Sequence, residues 1–310
     1  MRKIAVAVDG SLNCECAVRY VTGIAAAIPD LHFVLVHIQP PLSQYLTEEA
    51  ERKPKALKAL RALMKSNKAE SEKMLDKAKN EMVRRGIDPL RIEPCSRVRF
   101  SGVAEDILDL CQTRSFDALA IARRGITRLQ EMITGSVTTS LLEHARLTPT
   151  WVVDGDASNP NFLLAVDGSP NSLRALDHMA FMLAGGSIDH RIHMLHIKPR
   201  LQDFCEIDFD PDAMAAAEQV LLDDDRRCID DFHAQALGVL KKNGFPPDRL
   251  QIRTIDNRLS IARAIRDTAA ELKCGTIVVG RRGRTEGKFT GSVSRKVIQK
   301  ATDTAVWLVP

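Results

Sequence analysis

The chain repeats itself. Ile4-Ala5-Val6-Ala7-Val8-Asp9-Gly10-Ser11 returns as Leu163-Leu164-Ala165-Val166-Asp167-Gly168-Ser169, with the two aspartates 158 residues apart. Val34-Leu35-Val36-His37-Ile38-Gln39-Pro40 returns as His193-Met194-Leu195-His196-Ile197-Lys198-Pro199. Arg123-Arg124-Gly125, with Thr134-Gly135-Ser136-Val137 after it, returns as Arg281-Arg282-Gly283 with Thr290-Gly291-Ser292-Val293. Three matches in one order at nearly one offset mean a duplicated unit, so whatever one half folds into, the other must be able to fold into as well. The seam is expected within residues 154–160, Asp-Gly-Asp-Ala-Ser-Asn-Pro, which is polar and dense in turn formers. That gives two domains, 1–155 and 156–310, each of ordinary single-domain size.

Inside each half, short aliphatic or β-branched runs alternate with helical patterns. In the first, the pattern predicts strands over 3–8, 32–38, 90–94, 118–122 and 150–153, and helices over 12–28, 47–85, 102–113 and 136–146. The second half follows the same order, with strands near Phe162, Ile192, Leu250, Thr276 and Ala305. Such alternation predicts an α/β fold, two doubly wound five-stranded parallel sheets with helices on both faces. In sheets of this kind a ligand sits outside the carboxyl ends of the strands, where the strand order reverses.

Composition narrows the function classes. With 45% hydrophobic and 27% charged residues the chain can bury full cores, so disordered and fibrous readings fall away. The net charge of +4 is too dilute over 310 residues to mark a nucleic-acid binder. At 5% aromatic residues, stacking platforms for single strands are poorly supplied too. The apolar run at the N-terminus meets Asp9 too soon for a signal peptide, and no stretch reaches the roughly 18 apolar residues of a membrane span. Seven scattered cysteines read as reduced thiols, and Cys14 and Cys16, two apart on a helix, make a poor metal pair. A cytoplasmic protein without membrane insertion is expected.

Asp9 and Asp167 each end a first strand before Gly-Ser and a helix. A carboxylate there either accepts from a ligand at the mouth of the sheet or forms an ordinary Asp-Gly turn and helix cap. The loop after the fourth strand carries more information. From Val279 it reads Gly280-Arg281-Arg282-Gly283, seven residues, then Gly291-Ser292-Val293. Glycines let backbone amides turn toward one point, and a helix starting at Gly291-Ser292 adds unpaired N–H groups and the positive end of its dipole. This is a phosphate cradle, without the spacing of a P-loop or of a dinucleotide fingerprint. The arginine pairs 123–124 and 281–282 either serve the same anion or are solvated loop charges. In the helix that follows, Val137, Leu141, Leu142 and Ala145 match Val293, Val297, Ile298 and Ala301, a stripe for a core.

On these motifs the sequence resembles the universal stress protein family in its tandem two-domain form, over nearly the whole chain. The resemblance implies an adenine nucleotide alpha hydrolase-like fold with strand order 3-2-1-4-5 in each domain. It implies ATP as ligand, with Mg2+ as its companion, and a stress-response regulatory or sensor role. Residue by residue, it implies that Asp9 and Asp167 contact the nucleotide and that Ile38 and Ile197 lie beside the adenine. It sets Gly125, Gly135, Ser136 and Val137, with Gly283, Gly291, Ser292 and Val293, around the ribose and phosphates. Each half departs from the family pattern of Gly-x-x-Gly, nine residues, Gly-Ser. The first has Ala122 where the first glycine belongs, while the second keeps Gly280 but has the shorter loop. If the position of Ala122 requires a positive φ, its Cβ adds strain on the order of 1 kcal/mol.

Two further features concern assembly. Residues 52–68 hold seven basic and no acidic side chains, whereas 203–231 hold eleven acidic ones. The opposite charges suggest that these segments approach each other within the chain or across a dimer. The last strand of each half is apolar and at a sheet edge, and the resemblance implies that these strands pair in an internal pseudo-dimer, with a homodimer beyond it. No catalytic residue and no metal ligand set is expected. A phosphoryl-transfer site needs a base and a metal clamp beyond the cradle, and none repeats between the halves. A binding protein therefore stands ahead of a slow ATPase or self-phosphorylating protein, and ahead of an interaction module that has lost its ligand.

Overall fold

A computed structural model describes residues 1–25, 28, 30–123, 136–186, 191–201, 211–256, 260–283 and 291–310. They form two compact units, Met1–Gly155 and Asp156–Pro310.

The first unit runs β1 (Arg2–Ala7), α1 (Leu12–Ala25), β2 (Leu31–Gln39), α2 (Gln44–Ala50), α3 (Pro54–Arg84), β3 (Ile92–Val98), α4 (Val103–Thr113), β4 (Ala118–Ala122), α5 (Ser136–His144) and β5 (Thr150–Val153). Its strands lie in the order β3-β2-β1-β4-β5, and each of these neighbouring pairs is parallel. β1 is central, which is why Ile4, Ala5 and Val6 are wholly buried rather than alternating in and out. α1 packs beside α3 and α4 beside α5, the pairing that right-handed crossovers on the two faces of such a sheet produce.

Three expected boundaries shift. The single helix expected over 47–85 is two helices, because Pro54 has no N–H to donate and can take only the first position of α3. The strand expected at 90–94 starts later, since Asp88 caps a short turn at Pro89–Arg91 through the amide of Leu90. β3 then runs through Pro94, tolerable on a strand with one neighbour. The described part of α1 ends at Ala25, and the guanidinium of Arg91 donates to the carbonyls of Ala25, Ile28 and Leu31 that close the turn into β2.

The second unit repeats the plan. It comprises β6 (Asn161–Val166), α6 (Pro170–Leu183), β7 (Ile192–Lys198), α7 (Pro211–Lys242), β8 (Leu250–Asp256), α8 (Ile261–Glu271), β9 (Cys274–Gly280), α9 (Ser292–Lys300) and β10 (Ala305–Val309). Its order is β8-β7-β6-β9-β10, again parallel, which is the expected 3-2-1-4-5 arrangement in both halves. Trp151 and Trp307 are fully buried, the first edge-on to Tyr20 and the second edge-on to Phe162. Burial pushes the thiols of Cys111 and Cys274 up to about 12 and that of Cys14 up to about 11, which leaves them protonated and inert. In the stripes read on the last helices, Leu141, Leu142, Ala145, Val297, Ile298 and Ala301 are buried, while Val137 and Val293 are only half-buried.

The basic and acidic segments are the leading parts of the two long helices. Residues 54–68 open α3, where every Lys and Arg is exposed. Of the acidic segment, 203–210 lie outside the described residues and the rest opens α7. Among the described residues no helix is long and apolar enough to cross a membrane.

Candidate functional site

At the carboxyl ends of β1 and β6 the chain turns through Gly10 and Gly168, at φ of 72° and 76°, a conformation in which a Cβ would clash with the backbone. Asp9 Oδ1 accepts from the amide (3.0 Å) and hydroxyl (2.6 Å) of Ser11, whose own Oγ accepts from the amide of Cys14. Asp167 Oδ1 accepts from the amide of Ser169 at 3.0 Å and from Ser172 Oγ at 2.7 Å. The Asp167 amide donates back to Ser172 Oγ at 3.2 Å, and Ser169 caps α6. One oxygen of each aspartate therefore serves the turn. The other oxygen of Asp167 faces Gly283, where an added Cβ would stand 2.7 Å from it.

That approach forms one side of a crevice of about 240 Å³ in the second unit. Asp167 and Ile197 line it from the ends of β6 and β7, and Gly280 and Gly283 from the end of β9. Gly291, Ser292 and Val293 complete it at the start of α9. All seven residues expected in the second half thus border one cavity. The glycines have a steric reason to be glycines. A Cβ at Gly280 would lie 3.1 Å from the Asn171 backbone, and one at Gly291 would lie 3.3 Å from the carbonyl of Arg281. The Gly291 amide donates to that carbonyl at 2.8 Å, and Ser294 Oγ donates to it at 3.2 Å, so the start of α9 is fastened to the end of β9; residues 284–290 lie outside the described residues. The first amides of α9 have no partner within the helix and open beside the crevice. Leu195, Leu221, Ile261 and Ile265 supply apolar wall, and Arg282 supplies positive charge.

One feature of the crevice was not expected from the motifs. His196 and Asp225, both buried, form a pair with Nε2 to Oδ2 at 2.8 Å, and His196 Nδ1 lies 3.2 Å from the carbonyl of Val166. Both residues line the cavity. The repeat of His37 as His196 was a signal for the histidine. Nothing singled out Asp225 within an acidic run read as an assembly feature.

In the first unit Ile38 is buried, and Ala122 and Val137 are half-buried. Ala122 does not adopt a positive φ, and neither does Gly280, so the feared strain does not arise. Ser136 opens α5. Gly125 and Gly135 lie outside the described residues, as does Arg124. Arg123 is not a solvated loop charge: its Nε donates to Asp154 Oδ1 at 3.0 Å in a half-buried ion pair. A separate groove of about 250 Å³ runs between α1 and α3, over Gly10, Cys14, Val18 and Met74, and among the described residues none of the expected ones borders it.

The model of the universal stress protein family matches residues 1–154 and again 159–310. Among solved structures, a universal stress protein from Archaeoglobus fulgidus DSM 4304 is similar at 16% identity and a TM-score of 0.60, over 99% of this chain and 95% of that one. A functionally unknown protein from Pseudomonas aeruginosa PAO1 and a putative universal stress protein from P. aeruginosa UCBPP-PA14 are each similar at 16% identity and a TM-score of 0.58, over 99% of this chain and 92% of theirs. No curated protein matches the chain. At such identities the solved structures speak for the fold alone, but the double family match covers both halves, and the chain belongs to the universal stress protein family, with two family units in tandem.

Proposed function

We propose that the second unit binds an adenine nucleotide, ATP first among them, and that the protein acts as a nucleotide-responsive regulator. The observation that carries this reading is that one crevice joins an apolar wall, a carboxylate, two glycines where a Cβ would crowd the neighbouring backbone, and a helix N-terminus beside an arginine. In this reading Ile197 and its apolar neighbours hold the base, and Asp167, kept in place by Ser172 and Ser169, accepts from ribose hydroxyls. The amides of Ser292 and Val293, with Arg282, take the phosphates, and Mg2+ enters with them. Occupancy would favour one arrangement of the loops around the crevice, and a partner would read that arrangement. Asp9, Ile38, Ala122, Gly125, Gly135, Ser136 and Val137 make the corresponding proposal for the first unit.

The test is to denature the purified protein, identify any nucleotide released, and titrate the emptied protein with ATP by calorimetry. The reading predicts an adenine nucleotide or a saturable ATP response, and neither at millimolar ATP refutes it. A phosphate-release assay with Mg2+ then separates a binder from a slow ATPase. Self-association is a second proposal, supported by the exposed basic start of α3 and the acidic start of α7. Charge reversal at Lys58, Arg61 and Lys65 should weaken association between chains at low salt, and unchanged sedimentation would count against it.

A further inference from the structure

The His196–Asp225 pair has no task in the phosphate cradle, yet it is buried in the wall of the same crevice. Burying an ionisable pair lowers stability unless the geometry is good, and apolar residues of the same size would fill the space at least as well. Here the geometry is tight on both sides. His196 Nδ1 faces the Val166 carbonyl, which can only accept, so that nitrogen carries a proton. Nε2 meets Asp225 Oδ2 at 2.8 Å, and one proton lies between them. Whether that proton belongs to the ring or to the carboxyl, the other carboxyl oxygen of Asp225 is an acceptor. The imidazole, held from the end of β6, fixes the side chain that presents this acceptor.

Position along β7 adds the second element. Successive residues of a strand point to opposite faces, so Ile197 and His196 diverge at the strand end: one contributes apolar wall, and the other reaches the acid on α7. A flat ring held against Ile197 shares its cavity with a fixed hydrogen-bond acceptor. We propose that Asp225 is a specificity residue that accepts from the exocyclic amino group of the bound base and disfavours a keto oxygen at the same edge. This rests on the nucleotide reading of the crevice and narrows it to amino-bearing bases. The first half lacks the device. His37 keeps the carbonyl contact, Nδ1 to Val8 O at 2.7 Å, but residues 54–68, which open α3, carry no acid.

The experiment compares ATP, inosine triphosphate and purine riboside triphosphate, which carry an amino group, a keto oxygen and a hydrogen at one position of the same ring system. Direct binding is measured on wild-type protein, with the second-unit signal identified by its loss in Gly283→Val. The expected order is ATP, then purine riboside triphosphate, then inosine triphosphate, with about tenfold to a hundredfold between first and last. In Asp225→Asn, whose amide can donate to a keto oxygen, the ratio should collapse or invert. Equal affinities in wild type overturn the proposal even if the variant does not fold, as does a wild-type ratio in Asp225→Asn. Failure of all three nucleotides to bind wild-type protein overturns the nucleotide reading itself, and this proposal with it.

Discussion

The two aspartate corners carry the same Asp-Gly-Ser signature on the same backbone turn, yet they are built differently. Asp9 is exposed and takes the hydroxyl of the serine two residues on, whereas Asp167 is half-buried and takes the hydroxyl of Ser172, five residues on. The counterpart of Ser172 is Cys14, whose thiol points to the Ala7 carbonyl instead. The same divergence recurs at the next strand, where His196 is locked between a carbonyl and Asp225, and His37 is half-buried on a carbonyl. It recurs at β9 and β4, where Gly280 presses on the Asn171 backbone and Ala122 occupies the equivalent place. A duplicated backbone motif therefore does not duplicate the side chains around it. What distinguishes the halves is the second layer of side chains that holds the motif rigid, and in the second half that layer is polar and buried.

The largest effect that would separate the halves is on stability. His196→Ala strips a buried acid of its partner and should lower unfolding free energy by about 3 kcal/mol. His37→Ala removes one half-buried contact to a carbonyl and should lower it by about 1 kcal/mol. Urea unfolding of both variants measures this, and equal losses would erase the distinction. Next comes the aspartate corner. Ser172→Ala removes a charge-assisted bond from Asp167 and should weaken ATP binding about tenfold, while Cys14→Ser, which offers Asp9 a hydroxyl, should not weaken it. Isothermal titration of the two variants gives the comparison, and a larger loss from Cys14→Ser would reverse it. The smallest effect is at the strand ends. Gly280→Ala forces a methyl against Asn171 and should reduce stability by about 1 kcal/mol. Ala122→Gly, which only loosens the unfolded chain, should reduce it by about 0.5 kcal/mol, read from the same urea curves.

Much of the scaffold was legible because its causes are local. Strand-helix alternation and the repeat of Asp-Gly-Ser fix where the chain turns, and parallel pairing follows from crossovers that contain helices. The misreadings have equally physical origins. The break before Pro54 was masked by an unbroken helical pattern on either side of it. Arg123 read as an anion ligand or a solvated loop charge, and its ion pair was missed because Asp154 lies a strand away and becomes adjacent only when β4 and β5 pair. Asp225 was hidden by Asp223 and Asp224, which are exposed, while Asp225 alone of the three is buried. Which of three consecutive carboxylates turns inward depends on the rotation of α7 against β7, a tertiary quantity with no trace in composition. The cradle glycines were legible as glycines, but the reason for Gly283, the carboxylate of Asp167 at its Cα, required the fold.

The central claim is that the second-unit crevice, closed by the contact between Gly283 and Asp167, holds the nucleotide. Its most direct test is the number of ATP equivalents bound per chain by wild-type protein and by Gly283→Val, measured by equilibrium dialysis with circular dichroism to verify that both are folded. The account predicts that the variant, whose side chain must displace Asp167, loses one equivalent per chain relative to wild type. A folded Gly283→Val that binds as many equivalents as wild type, with unchanged affinity, would contradict it.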